Sequence, residues 1–195
     1  MWRYLIPIGL FAILIAFFFA GLGRDKQTLP SPLIGKPAPQ FNLPRLDDPT
    51  ELVSSKDFAG RKYIVNVWGP WCVGCHQEHP VLLDIADRTP VPIVGLTVPQ
   101  GALVDNDGQP LPLEEVLGEM QLGQRWLREL GDPYDVTVFD QTWEVAIDLG
   151  VYGAPETFLI DERGMVVHKH SGPLSLAVWE QDFVPKIVQS GSAGG

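Results

Sequence analysis

The sequence predicts a three-layer α/β/α domain, preceded by a short N-terminal hairpin and, before that, by one transmembrane helix. Three observations carry this. Residues 5–22, LIPIGLFAILIAFFFAGL, hold no charge over 18 positions, close to the roughly 20 apolar residues that cross a bilayer core. Beyond them, β-branched and aromatic runs alternate with segments of helical period. The alternation closes on two strands joined by a turn at 161–164 and a last helical stretch, as expected where helices cover both faces of one sheet.

Taken in order, residues 1–23 read as a membrane anchor. A cleaved signal peptide competes for so short a stretch, but bulky Phe18 stands where cleavage after Ala20 would need a small residue. Arg3 before the span and Arg24 and Lys26 after it balance too closely to orient it. Residues 24–39 contain Pro30, Pro32, Pro37 and Pro39 and read as an extended linker. The domain is expected over 40–189. Its hairpin pairs Phe41–Leu43 with Glu51–Val53 across Asp47-Asp48-Pro49. The first long strand is 63–68, YIVNVW, stopped by Gly69-Pro70. The next helix carries Val81, Leu82, Ile85 and Ala86, with Pro80 as an expected kink.

Strand 93–98 follows, and then a polar stretch that opens an insertion at about 99–120, with the turn signal Asp105-Asn106-Asp107-Gly108. A helix over 113–130 is expected to be interrupted at Gly118 and Gly123. Strand 136–139, a short helix at 143–149, strands 156–160 and 165–170 and a helix at 176–189 complete the domain. The tail SGSAGG, 190–195, is expected to be disordered.

Charge narrows the partners. The whole chain carries a formal charge of −10. The segment before residue 28 holds three basic side chains and one acid, leaving 11 basic against 23 acidic side chains in the remainder, a net −12. Nucleic-acid binding needs Lys and Arg to neutralise phosphates and is excluded on this count. Neutral or basic proteins and small molecules fit such a surface.

The chain holds two cysteines, Cys72 and Cys75, in Trp71-Cys72-Val73-Gly74-Cys75-His76. Cys-x-x-Cys-His can be a dithiol centre, part of a metal site or a haem-attachment site. Haem attachment matches letter for letter, yet Met120 and Met165 are undistinguished as axial ligands and a small haem protein does not account for the α/β alternation. Zinc would need Cys72, Cys75, His76 and His79 from a single helical turn, although His76 faces about 100° away from Cys75. Dithiol chemistry suits the place in the chain. At a strand-to-helix junction, the free N–H groups and the macrodipole of the helix stabilise a Cys72 thiolate. Cys75, one turn on, suits a resolving thiol. A purely structural disulfide closing so short a loop would remove little unfolded-state entropy.

VNVWGPWCVGC at 65–75 resembles the active-site strand and turn of thioredoxin-like proteins, and GVYGAPETFLIDERG at 150–164 resembles their cis-proline segment. GKPAPQFNLP at 35–44, CHQEH at 75–79, LGDPYDVTVFD at 130–140 and HKHSGPL at 168–174 resemble the CcmG/DsbE-type membrane-anchored thiol:disulfide oxidoreductases of cytochrome c maturation. The resemblance covers nearly all of the chain after residue 33. It departs at Gly69-Pro70, at Val73-Gly74, which lacks the common proline, and in the length of the 99–120 region.

That resemblance implies a thioredoxin-like fold and a reductant acting by dithiol exchange on protein disulfides. The implied substrate is the CxxCH site of apocytochrome c, and the implied electron donor is a membrane thiol reductant of the CcdA/DsbD type. A general extracytoplasmic thiol reductase is the alternative. The resemblance further implies a single-pass inner-membrane protein facing the periplasm, with no cofactor or metal beyond a redox-active Cys72–Cys75 disulfide. Cys72 would be the nucleophile and Cys75 the resolving thiol. Pro155 would be the cis-proline, with the Ala154 backbone offered to an incoming peptide, and Trp71 an apolar cover over the sulfurs. A carboxyl near the thiols can accept or return a proton; Glu156 is the first candidate and Glu78 the second. Asn66 stands where thioredoxin itself usually has a buried acid, so the proton acceptor must come from elsewhere.

Overall fold

The structure, a computed structural model, describes residues 2–22 and 33–189. Linker residues 24–32 and tail residues 190–195 lie outside the described residues. Helix α1 runs Trp2–Leu22. Its described side chains, Ile6 to Phe18 apart from Ile8, are exposed. Among the described residues no helix is long and apolar enough to cross a membrane, so the expected transmembrane helix is not borne out.

Strands β1 (Asn42–Pro44) and β2 (Leu52–Ser54) form the hairpin. It is followed by a 3₁₀ turn, Ser55–Phe58, with a capping box in which Ser54 and Asp57 satisfy each other's end. The main sheet contains β3 (Tyr63–Trp68), β4 (Ile93–Thr97), β5 (Val136–Phe139), β6 (Glu156–Ile160) and β7 (Val166–Ser171). Its order is β5-β4-β3-β6-β7, parallel from β5 to β3 and antiparallel from β3 to β7.

Helix α2 (Val73–Ala86) leaves the end of β3, and α3 (Leu113–Leu130) crosses from β4 to β5. Helix α4 (Glu144–Asp148) precedes β6. The described residues end in α5 (Leu176–Val178), a π-turn at Trp179–Phe183 and α6 (Val184–Gln189).

Strand β3 lies at the centre of the sheet and all six of its residues are buried. Its pattern is therefore continuous rather than alternating, because both faces are covered. Ile64 and Trp68 face a core shared with Leu82 and Ile85 of α2, Val116, Met120, Trp126 and Leu127 of α3, and Trp179 and Phe183. Tyr63, Val65 and Val67 face the opposite core, closed by Val145, Ala146 and Leu149 together with Ala38, Phe41, Val53 and Phe58 from the N-terminal part. One helical layer is thus large, and the other is a short helix completed by the hairpin region.

Two local expectations change. Helix α3 is continuous through Gly118 and Gly123. Its buried stripe of Val116, Met120, Gly123, Trp126 and Leu127 outweighs the modest helix penalty of glycine. A Cβ on Gly123 would come within 3.2 Å of Leu46, so that glycine lets the helix seat against the hairpin connection. The final helix is continuous in extent but widens into a π-turn, where Val184 N–H bonds Trp179 O. Pro185 follows at once and has no N–H for a regular turn, which gives the physical reason.

The end of the proline-rich segment is docked on the domain. Gly35 N–H and Val166 O are 2.8 Å apart, Val166 N–H and Lys36 O 2.9 Å, and Ala38 N–H and Gly164 O 2.8 Å. Within 99–112, Asp105 Oδ1 caps its own turn by accepting from Asp107 N–H and Gln109 N–H. The Gln141 side-chain amide ties the loop down through Leu103 O and Leu111 O, each at 2.9 Å.

Candidate active site

The site forms where β3 ends and α2 begins. Gly69 is required there: a Cβ would lie 2.4 Å from the Trp71 indole nitrogen and 2.7 Å from Val98 O. Trp71 packs into that space, donating its indole N–H to Val98 O at 3.0 Å and leaning on Trp143, centroid to centroid 6.2 Å. Trp143 holds φ 66°, a left-handed conformation rare for a bulky residue, and its indole N–H bonds Pro99 O at 3.0 Å. The two indoles are thereby pinned to consecutive carbonyls beyond β4.

Cys72 is the N-cap of α2, its sulfur accepting from Cys75 N–H at 3.1 Å. Cys72 and Cys75 are joined as a disulfide, Cα to Cα 5.2 Å, and both are buried. In the reduced protein the same cap geometry favours the Cys72 thiolate, because it offers an N–H and the positive end of the helix to an anion. The Ala154–Pro155 bond is cis and immediately precedes β6. A Cβ on Gly74 would meet Pro155 Cδ at 2.8 Å and Pro173 at 3.3 Å. Glycine between the cysteines is what lets those two prolines close on the helix. Val73, by contrast, is 72 % exposed.

The two candidate acids are both buried, so neither is a solvated surface charge. Glu156 Oε2 pairs with Lys169 Nζ at 2.8 Å, and its Oε1 accepts from Ser171 Oγ at 2.9 Å. Lys169 also donates to Gly150 O at 2.7 Å and sits over the Tyr152 ring. Glu156 is therefore committed to an ion pair.

Glu78, one turn after Cys75 on the same face of α2, is 1 % exposed. Its oxygens accept from Asn66 Nδ2 at 2.9 Å and from Leu174 N–H at 2.8 Å. Burial pushes its carboxyl up to about 7, against the pull of those two hydrogen bonds. A carboxyl poised near neutrality one helical turn from the inner cysteine can take a proton and return it.

Sequence reading singled out Asn66 only as a position without an acid, and did not reach Thr157 and Tyr134 behind it. Asn66 Nδ2 also donates to Thr157 Oγ1 at 3.0 Å, and Asn66 Oδ1 accepts from Tyr134 OH at 2.8 Å. Burial, then the Glu78 and Asp132 charges, hold the Tyr134 hydroxyl well above its ordinary range. The available signal was the period of two that puts Asn66 on the same face of β3 as Ile64 and Trp68, toward α2. Lys169 could be found from strand register: Glu156 pairs with Ser171, and Lys169, two residues away, shares its face.

The two histidines both lie against Trp126 and meet different carbonyls. The ring nitrogen Nε2 of His76 is 3.2 Å from Pro70 O, and that of His79 is 3.1 Å from Gly131 O. His79 is buried against Trp126, centroids 4.1 Å apart, rather than exposed on its helix. Among the described residues, no group of three or more His, Cys, Asp or Glu is arranged to hold a metal.

Comparison with known proteins agrees with this geometry. The profile of the Redoxin family matches residues 33–182. The thiol:disulfide interchange protein DsbE of Allochromatium vinosum is 39% identical over 187 residues, 96% of this chain and 93% of its own. DsbE of Pseudomonas aeruginosa is 39% identical over 185 residues, 95% and 92% of the two chains. DsbE of Escherichia coli K12 is 35% identical over 187 residues, 93% and 91%. Among solved structures, a thioredoxin-family thiol:disulfide interchange protein from Chlorobium tepidum superposes with TM-score 0.56 at 23% identity, covering 79% of this chain and 94% of that one. A DsbF homologue from Corynebacterium diphtheriae gives TM-score 0.57 at 18% identity, covering 80% and 86%. At such identities these structures support the thioredoxin-like fold and nothing finer.

Proposed function

Because this chain belongs to the Redoxin family, alongside thiol:disulfide interchange proteins of the DsbE type, we propose that it reduces protein disulfides by dithiol exchange. The observation that carries the reading is the Cys72–Cys75 disulfide at the helix N-cap, with its acceptor hydrogen bond from Cys75 N–H.

In the reduced protein the Cys72 thiolate attacks one sulfur of a substrate disulfide. That S–S bond breaks, a mixed disulfide forms, and the second substrate sulfur leaves as a thiolate that takes a proton from solvent. Cys75, its proton passed to Glu78, attacks Cys72 Sγ and releases the first substrate sulfur as a thiolate. Two electrons have then moved to the substrate, and Cys72–Cys75 is the oxidised product. Sulfur alone carries this chemistry, without a further cofactor. Pro155, Ala154 and Trp71 shape the surface on which a substrate strand would lie.

The finer reading is that the substrate is the CxxCH site of apocytochrome c and the electron donor a membrane thiol reductant. An acidic domain favours neutral or basic partners, and the family relation supports the choice. The exposed apolar side chains of α1 support a membrane anchor, since a helix apolar all round is stable in lipid rather than in water; the family relation is what supports the inner membrane and the periplasmic face.

A Cys75→Ser variant tests the exchange mechanism and the substrate. It is expected to accumulate mixed disulfides through Cys72, with a CxxCH-containing polypeptide among the partners. Trapping of unrelated proteins only would favour a general extracytoplasmic thiol reductase. Full activity with nothing trapped would overturn the two-cysteine mechanism.

A further inference from the structure

A carboxyl that is 1 % exposed can cycle protons beside Cys75 only if something fixes it and favours its anion. One donor to Glu78 is the backbone N–H of Leu174, which is present whatever the side chains. The other is the side-chain amide of Asn66, and an amide can face either way. In the observed orientation both of its N–H groups are used, on Glu78 and Thr157, and its oxygen accepts from Tyr134. Turned over, it would set a carbonyl oxygen against the Glu78 anion.

We propose that Asn66 is a positioning residue that sets the protonation of Glu78, and that the Tyr134 hydroxyl fixes which end of its amide Glu78 meets. This rests on the reading of Glu78 as the proton acceptor for Cys75. The partners that Glu78 meets from β3 and from the Leu174 loop are uncharged. Thr157 of β6, the next link behind Asn66, is uncharged too. Its titratable neighbours are Cys75 and His79 on its own helix, the latter bound to Gly131 O, and Tyr134 before β5. Tyr134 stays neutral, and so remains a donor, because burial and Glu78 itself oppose its ionisation. An aspartate at position 66 would instead bring a second carboxyl within about one hydrogen-bond length of Glu78, and like charges in such a space cannot both ionise.

The test uses the full chain with ¹³C-labelled glutamate. Asn66→Leu removes the donor at similar volume; Thr157→Val perturbs the same network without touching Glu78. In Asn66→Leu the Glu78 carboxyl is expected to titrate higher by about one to two pH units. The pH midpoint for single-turnover reduction of a CxxCH peptide disulfide should rise with it. Thr157→Val should lower stability and leave both midpoints in place. If the Leu variant does not fold, Asn66→Val carries the same expectation. An unmoved Glu78 midpoint, or equal shifts in the position 66 and 157 variants, would overturn the proposal. A Glu78 midpoint that rises while the rate profile stays put would uphold Asn66 as the residue setting Glu78 and reject Glu78 as the proton acceptor.

Discussion

Replacing Glu78 by Gln should flatten the dependence of stability on pH between about 4.5 and 7. The carboxyl titrates near 7 in the folded chain against an ordinary 4.5, so the folded state holds this proton more tightly than the unfolded state does. A group raised in this way contributes stability that is fully present below about pH 4.5 and is lost as pH rises through about 7. A difference of about 2.5 units at 1.36 kcal/mol each is about 3 kcal/mol, with no discount for solvent at a side chain 1 % exposed.

Glutamine does not recover all of that. Both Glu78 oxygens accept hydrogen bonds, so an amide must turn its NH₂ toward one of those donors and lose that bond, at a cost of about 1–3 kcal/mol. Relative to the native protein, E78Q should therefore be less stable by about 1–3 kcal/mol at pH 4.5 and equal or more stable at pH 8. The assay is urea denaturation of both oxidised proteins at half-unit intervals from pH 4.5 to 8. The contribution of His168, which burial depresses to about 4, is lost as pH falls from about 6.5 toward 4, the opposite slope. It is common to both proteins and cancels in their difference. A difference that stays constant across the range would refute the reasoning.

His168→Leu should remove that second slope: the variant keeps its stability between pH 6.5 and 4 where the native protein loses it, read by the same denaturation series. Lys169→Met should destabilise by about 3–5 kcal/mol, because it strands the buried Glu156 anion, and the double variant Lys169→Met/Glu156→Gln should recover much of the loss in thermal melts. Gly74→Ala should lower stability by about 1–3 kcal/mol and slow exchange with a peptide disulfide, since its Cβ would sit 2.8 Å from Pro155. A Gly74→Ala protein that instead gained the fraction of a kcal/mol that alanine usually brings to a helix would show that the contact can relax.

Elements whose residues decide their own conformation were legible in the sequence. YIVNVW, IVGLT and ETFLI could be assigned as strands because β-branched and aromatic residues dominate and glycine or proline stops them. The α3 span was visible as well, but its continuity was not. Glycine penalties are local and small, whereas the burial of Met120 and Trp126 and the seat of Gly123 under Leu46 are tertiary facts with no local signature. The π-turn before Pro185 belongs to the same class. Residues 176–189 read as one plain helix; the π-turn needs both the missing N–H of Pro185 and the burial of Trp179 and Phe183 in the core.

The same division separates the two acids. Proximity in sequence to Pro155 pointed to Glu156, but a strand residue next to a turn takes its chemistry from the strand beside it, and there Lys169 and Ser171 claim both carboxyl oxygens. Glu78 is distinguished by what it lacks: its partners are an amide and a backbone N–H, neither of them charged. Burial opposed only by neutral donors raises a carboxyl toward the midpoint between its two states, as at Glu78. A proton acceptor for a buried thiol needs that condition. In this chain the strand position that could have held an acid, Asn66, supplies the neutral donor instead, and the helix turn after Cys75 supplies the acid.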